Sequence, residues 1–312
     1  MTITVLGHMC LDVIHQANGK ETRSYGGIFF SVATLASLLS KSDVIIPVLG
    51  IGKADYEPFV ERLAVYPNVD TSGMYKLNGP TNQVHLKYSD ERERLECSRS
   101  ISEPISWKKI HQHLVTDMVL VNMISGFDIT LETLDALRIE VRENHVPIYM
   151  DLHSLTLGID GDCNRFHRPL ENWRRWLFWL HAVQMNEVEA AVVTPERFGE
   201  ETFAKQVLAL NTKALFITRG VKGFTAFVDE HKQTQRIDEQ ATGDGRTVDT
   251  TGCGDVFAAA YCAHYLKSKN IRASASYANK VAGLNAQIAG STEIDKLSSF
   301  RLTETIQQER VQ

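Results

Sequence analysis

A recurring order of short apolar runs and helical patterns constrains this chain more than any other feature. Residues 3–7, 43–50, 117–123, 146–152, 181–186 and 213–220 are apolar runs, most of them ending in polar residues. The run "DVIIPVLG" at 43–50 is continuous, as expected of a strand buried on both faces. Between these runs, residues 27–40, 56–66, 131–144 and 203–210 place apolar side chains at helical spacing. Strand followed by helix, repeated, predicts an α/β fold: a doubly wound, mostly parallel central sheet with helices on both faces. Ligands of such sheets bind beyond the carboxyl ends of the strands, so the polar strand ends should face one crevice. The chain's 312 residues, 43% hydrophobic and with no internal repeat or clear linker, predict one domain over 1–312.

Two segments break the rhythm. Residues 12–27 hold the turn signal Asn18-Gly19, and residues 75–101 alternate apolar and charged residues around Asn78-Gly79-Pro80. Both read as hairpins with one wet face, inserted at about 12–25 and 75–101. They predict a small β-sheet standing off the main domain as a lid over the crevice; two surface hairpins are the plainer alternative. The strand-rich edges of such a lid would suit a homodimer. Three tryptophans in "ENWRRWLFWLH" (171–181) predict a packed, partly exposed helix, and "DERER" (90–94) a solvated turn.

Charge narrows the function classes. The formal net charge is −5, without the basic field that nucleic acid requires. No basic segment precedes the first apolar run, which reads as a strand, and no run approaches the length of a membrane span. Five widely spaced cysteines, with no CxxC pair, suggest free thiols and a cytoplasmic location.

The chemistry concentrates in "VDTTGCGDVFAAAYCAHYL" (248–266), a polar glycine loop running without a break into an apolar helix. Such a loop presents backbone N–H groups and the positive end of a helix dipole, a ready anion site. It is neither GxxxxGK[ST] nor GxGxxG. An acid, Asp255, stands inside the anion site, where it would repel a phosphate unless it had a separate task. Accepting the proton of a hydroxyl that attacks the phosphate is such a task. The loop alone therefore points to phosphoryl transfer to an alcohol, or else to a well-capped core helix.

The run "DTTGCGDVFAAAY" (249–261) is similar to the DTxGAGDxFxxG signature of the ribokinase (pfkB-type) carbohydrate kinase family. Other segments fit in the family's order. They are "GHMCLDVI" (7–14), "YGGIFFSVATLASLL" (25–39), "VQMNEVEAAVV" (183–193), "FITRGVKGF" (216–224) and "SYANKVAGLNAQIAGS" (276–291). The resemblance implies an ATP- and Mg²⁺-dependent kinase with Asp255 as general base. The amides of Gly252, Cys253 and Gly254, with that of Asp255, would stabilise the transferring phosphoryl group. Asp12, ending the first strand, would bind substrate hydroxyls, with Gly26 and Gly27 letting the backbone approach the sugar and hinging the lid. Asn186 and Glu189 would organise Mg²⁺, doubling as a helix cap and its capping-box partner. Thr218, Gly220, Gly223 and Asn279 would line the nucleotide side. Asp249 and Thr251 stand where many members bind a monovalent cation such as K⁺.

Departures leave the acceptor open. Ribokinases proper follow the Gly-Gly pair with a polar run, whereas this chain reads "GGIFFS", with Ile28 and Ser31 at two polar positions. After the mid-chain strand, Asn122 could bind substrate, but Ile124 could not replace a carboxylate. Phe29 and Phe30 are expected in the core, and His153 at a strand end could line the crevice. Cys253 replaces the usual alanine; a helix N-terminus could sensitise its thiol. The expected partner is a small sugar or sugar-like molecule. A nucleoside kinase on the same machinery, or a non-catalytic sugar or nucleotide sensor, is the alternative.

Overall fold

The computed structural model describes residues 1–15, 21–88, 94–230, 233–242 and 247–302, without the side chains of 87, 88, 94 and 95. The chain opens with β1 (Thr2–Leu6), which enters the main sheet, then β2 (Met9–His15) and β3 (Glu21–Gly27), which form an antiparallel hairpin outside it. Next come α1 (Ile28–Leu38), β4 (Val44–Gly52), α2 (Lys53–Leu63), β5 (Met74–Leu77) and a second antiparallel hairpin, β6 (Asn82–Tyr88) with β7 (Arg94–Arg99). The alternation resumes with α3 (Trp107–His111), β8 (Met118–Asn122), α4 (Leu131–Arg142) and β9 (Ile148–Asp151). A short ribbon, β10 (Leu157–Ile159) and β11 (Arg165–His167), precedes α5 (Trp173–Leu177), β12 (Ala182–Asn186), α6 (Glu187–Val192), α7 (Glu200–Ala209) and β13 (Ala214–Thr218). The last elements are β14 (Phe224–Glu230), β15 (Gln233–Glu239), α8 (Cys253–Ser268) and α9 (Ile271–Asn285).

The main sheet has nine strands in the order β15-β14-β13-β12-β9-β8-β1-β4-β5. Seven are parallel to their neighbours, and β14 and β15 close one edge antiparallel. This is the doubly wound, mostly parallel sheet expected from the βα rhythm. Both faces of its centre are dry: β1, β8, β9 and β12 carry almost wholly buried side chains. One core lies between the sheet and α1, α8 and α9, the other between the sheet and α4, α5 and α7. Helix α8 is buried nearly all round, and its small residues Ala258, Ala259 and Ala260 let it lie close to its neighbours. Trp173 and Trp176 are buried in the second core, as a packed helix requires.

The separate small sheet has the order β3-β2-β6-β7, its two hairpins joined by a parallel pairing of β2 with β6. Its limits differ from the sequence expectation. Strand β2 begins at Met9, so Asp12 is in mid-strand in the small sheet rather than at the end of a core strand. Strand β5 pairs with β4 in the main sheet. Asn78-Gly79-Pro80 is therefore the connector from main sheet to small sheet, not a hairpin tip. The misreading has a physical cause: β5 is the outermost strand, with one wet face, and alternates like a lid strand. The Asn18-Gly19 turn and most of "DERER" lie outside the described residues. No described helix is long and apolar enough to cross a membrane.

Candidate active site

The carboxyl ends of the main strands and the inner face of the small sheet enclose a cavity of about 590 Å³. The loop before α8 runs along its wall. Gly252 caps the helix at φ 75°, a left-handed conformation that favours glycine. A Cβ there would come within 2.3 Å of the Phe30 ring, so the aromatic of "GGIFFS" is both core and the floor beneath the loop. The Cys253 amide bonds the Thr250 carbonyl at 3.2 Å, so one of the amides expected at the phosphoryl group is engaged within the loop. Asp249 fastens the loop, accepting from the amides of Thr251 at 2.9 Å and Gly290 at 3.0 Å. The Thr251 carbonyl accepts from Asn285 at 3.1 Å.

Asp255 follows in the first turn, 9% exposed and facing the cavity. Its carboxylate accepts from Asn122 Nδ2 at 2.6 Å, and the same amide donates to Ser31 Oγ at 3.1 Å. Burial pushes the Asp255 pKa up to about 7, against the Asn122 hydrogen bond and with the help of the Asp12 charge. Ser31 and Asn122, anticipated as substrate ligands, are fully buried and lie behind Asp255, not on the cavity wall. Asn122 touches the candidate base, and Ser31 touches Asn122.

Two residues at this wall escaped the sequence reading. Gln184 of β12 donates to the Gly254 carbonyl at 3.0 Å and to Asp151 Oδ2 at 3.1 Å, and accepts from Tyr149 at 2.7 Å. It ties the first turn of α8 to two strands. Asp151 ends β9, and burial raises its carboxyl well above the usual range, the Asp255 and Glu189 charges adding to the effect. The signal was present: an acid at the carboxyl end of an apolar run.

Asn186 and Glu189 lie beside it as a full capping box. Asn186 Oδ1 accepts from the amides of Val188 and Glu189 at 2.9 Å, and Glu189 Oε2 accepts from the Asn186 amide at 2.7 Å. Both also line the cavity, and burial pushes the Glu189 pKa up to about 7. Thr218, Gly220, Gly223 and Asn279 gather at the far end. There Asn279 Nδ2 donates to the Gln240 carbonyl at 2.7 Å and to Glu239 at 3.0 Å, fixing the segment after β15.

The opposite end is roofed by the small sheet. Asp12 and Glu96 reach the wall from β2 and β7, and Gly27 stands where β3 passes into α1. Gly26 packs on Asp12: a Cβ would lie 2.2 Å from its carboxylate. Ile124, His153 and Arg165 complete this end. Of these, Glu96 and Arg165 carried no sequence signal.

The pfkB family carbohydrate kinase model matches residues 162–297. Similar solved structures include a pyrophosphate-dependent kinase in the ribokinase family complexed with a pyrophosphate analog and myo-inositol. It has a TM-score of 0.72 at 16% identity, over 93% of this chain and 96% of that one. Arabidopsis thaliana ribokinase complexed with ribose and ATP has a TM-score of 0.69 at 17% identity, over 96% of this chain and 98% of that one. Burkholderia thailandensis nucleoside kinase in complex with inosine has 0.68 at 17%, over 93% and 91%. These likenesses establish the fold, and the family match bears out the resemblance carried by residues 249–261.

Proposed function

We propose that this pfkB-type kinase of ribokinase fold transfers the terminal phosphoryl group of ATP to a hydroxyl of a sugar or sugar-like acceptor. The observation that carries the reading is Asp255, a buried carboxylate on the cavity wall within the first turn of the glycine-capped helix. It is held by Asn122, with a pKa brought up to about 7. A base so placed takes the acceptor's O–H proton as the new O–P bond forms and the donor's bridging oxygen departs with ADP. The loop between Thr250 and Asp255 offers its amides, other than those of Thr251 and Cys253, which are engaged within it, and the dipole of α8 to the charge on the transferring group.

The residues fit a cation beside the donor phosphates. Glu189 is a cavity-wall carboxylate whose ionisation burial opposes, a penalty that a neighbouring cation reverses. Asn186 and Glu189 would hold Mg²⁺ and its waters there. The ion supplies neutralisation of the phosphate charge when bound. The chain's own part is to keep the two side chains locked in their capping box, to position Asp255, and to roof the acceptor with the small sheet so that water is excluded.

The test is a panel of pentoses, hexoses, cyclic polyols and nucleosides, each with ATP and with pyrophosphate, in the presence of Mg²⁺. Fold relatives hold ribose, inosine and myo-inositol, which sets the range of the panel. Turnover of a sugar or cyclic polyol with ATP supports the proposal; preferred turnover of a nucleoside moves the chain to the nucleoside kinases. Ligand-induced thermal stabilisation with no turnover of any pair would make it a sensor and sink the kinase reading.

A further inference from the structure

Strand β12 carries Gln184 and Asn186 on one face, about 7 Å apart along the strand. Asn186 heads the capping box. Gln184, 2% exposed, meets the first turn of α8. The orientation of its amide is fixed from three sides. Tyr149, fully buried on β9, donates to Oε1 at 2.7 Å, and Nε2 donates to the Gly254 carbonyl at 3.0 Å and to Asp151 Oδ2 at 3.1 Å. Turned over, the amide would set its oxygen against the Gly254 carbonyl, which can only accept. The helix packs directly on this group: a Cβ at Gly254 would lie 3.4 Å from Nε2.

The Gly254 carbonyl belongs to the peptide unit whose N–H is that of Asp255. A trans peptide is planar, with its C=O and N–H pointing opposite ways, so what fixes the carbonyl also aims the amide. The first intrahelical bond of α8 runs from the Val256 amide to the Gly252 carbonyl at 2.8 Å, so the Asp255 amide is a donor that the helix itself does not use. It favours the ionised form of the Asp255 carboxylate. The amides of Thr251 and Cys253 are engaged within the loop, which enlarges the share of the Asp255 amide in holding a phosphoryl group. End turns of helices fray, and Gln184 anchors this one from a central strand. A hydrogen bond to the carbonyl also polarises the peptide and strengthens its N–H as a donor.

We infer that Gln184 is a positioning residue: it locks the Gly254–Asp255 peptide, and so sets the amide and carboxylate of Asp255 against the Asn186–Glu189 box that the same strand carries. It acts through this peptide and not on the reacting atoms. The inference rests on the kinase reading. Its effect belongs to the transition state, where charge on the transferring group needs an aligned donor, and leaves the binding of donor and acceptor nearly unchanged.

The test compares the full chain with Gln184→Met, which keeps the length of the side chain and loses its donors. With every acceptor that the panel turns over, kcat should fall by about 10–100-fold while the KM values of acceptor and ATP change by less than about threefold. ADP with Mg²⁺ is titrated calorimetrically in the presence of the best acceptor, with and without aluminium fluoride as a mimic of the transferring phosphoryl group. ADP affinity should stay within about threefold, and the strengthening by aluminium fluoride should be at least roughly tenfold smaller in the variant. Tyr149→Phe removes only the hydroxyl that orients the amide; it should lower kcat by about threefold, and the double variant should be no worse than Gln184→Met. Should Gln184→Met fail to fold, Tyr149→Phe carries the same comparison. Unchanged kcat, or equal strengthening by aluminium fluoride in parent and variant, overturns this inference alone. So does a loss of ADP affinity as large as the loss with aluminium fluoride, or a raised KM with kcat intact, since either marks a merely structural tie. A parent chain that turns over no acceptor overturns the kinase reading, and this inference with it.

Discussion

The two ends of the cavity are built on different principles. At the catalytic end two short segments carry the motifs: the loop and first turn of α8 span residues 249–255, and the capping box 186–189, with Asn122, Gln184, Asn285 and Gly290 fastening the loop from outside. Each is organised by its own backbone, through a left-handed glycine in one case and reciprocal cap bonds in the other. At the acceptor end Asp12, Glu96 and Arg165 come from β2, β7 and β11, three strands far apart in the chain. Local order gives the first end its shape. The second end exists only while the small sheet and ribbon stay docked. Substitutions at the catalytic end should therefore change turnover for every acceptor alike, and those at the acceptor end should change one acceptor against another.

The largest expected effect falls on Asp255→Asn. Turnover should drop by about 10²–10⁴-fold with every acceptor, the range for loss of a general base, while donor affinity, measured by titration, stays close to that of the parent chain. The same change should stabilise the fold at alkaline pH. The folded pKa of about 7 lies above the ordinary 3.8, so the native state holds this proton more tightly than the unfolded chain. The stability that follows is fully present below 3.8 and is lost as pH rises through about 7. Thermal melting should show the variant gaining on the parent at pH 8 and not at pH 4. A drop in turnover limited to one acceptor would break the contrast between the two ends.

Gly252→Ala should cost less activity but more stability. It forces a left-handed backbone on an L-residue and puts a methyl group into the Phe30 ring, together about 2–4 kcal/mol by denaturant titration. Asn122→Ala is gentler and more informative. It removes the donor that favours the ionised form of Asp255, so the acid limb of the kcat/KM profile should move up by roughly one pH unit. Activity at pH 7 should fall about fivefold and largely recover at pH 8.5. An unshifted limb with a raised KM for one acceptor would instead make Asn122 a substrate ligand.

That last alternative marks how far the sequence could be read. The parallel sheet was legible because β1, β4, β8, β9, β12 and β13 each carry a near-continuous apolar run. The loop, the capping box and Asp255 were legible because their residue types have local meaning. Asn122 was placed at the correct strand end, but sequence does not say whether a polar side chain there points to solvent or behind a neighbour. The edge strand β15 is too polar to stand out. Strand β5 passed for part of the small sheet because an edge strand and a lid strand share the same half-wet pattern. Arg165 was invisible for a stronger reason. Its environment is made by a ribbon whose partner strand lies 67 residues earlier, and long-range docking of that kind leaves no periodic trace.

The smallest expected effect belongs to Cys253, and it separates two local forces that sequence cannot rank. Its place in the first turn of α8 should favour a thiolate, as helix N-termini do. The structure sets burial against this. The thiol is enclosed by Asn285, 3.4 Å away, and by the Ala282 carbonyl at 3.7 Å, and desolvation pushes its pKa up to about 11. Desolvation is the largest of the contributions, outweighing the Asn285 hydrogen bond that favours the thiolate, while the charges of Asp249 and Asp255 add to the upward shift. The thiol therefore stays protonated at neutral pH and serves only as a small filler. Cys253→Ala should change stability by less than about 1.5 kcal/mol and turnover by less than about twofold, since it leaves the backbone amide in place. Iodoacetamide at pH 7.5 should leave the parent chain as active as the variant. Rapid inactivation that the alanine variant escapes would show the dipole prevailing over burial, and would make this loop less closed than the rest of the catalytic end.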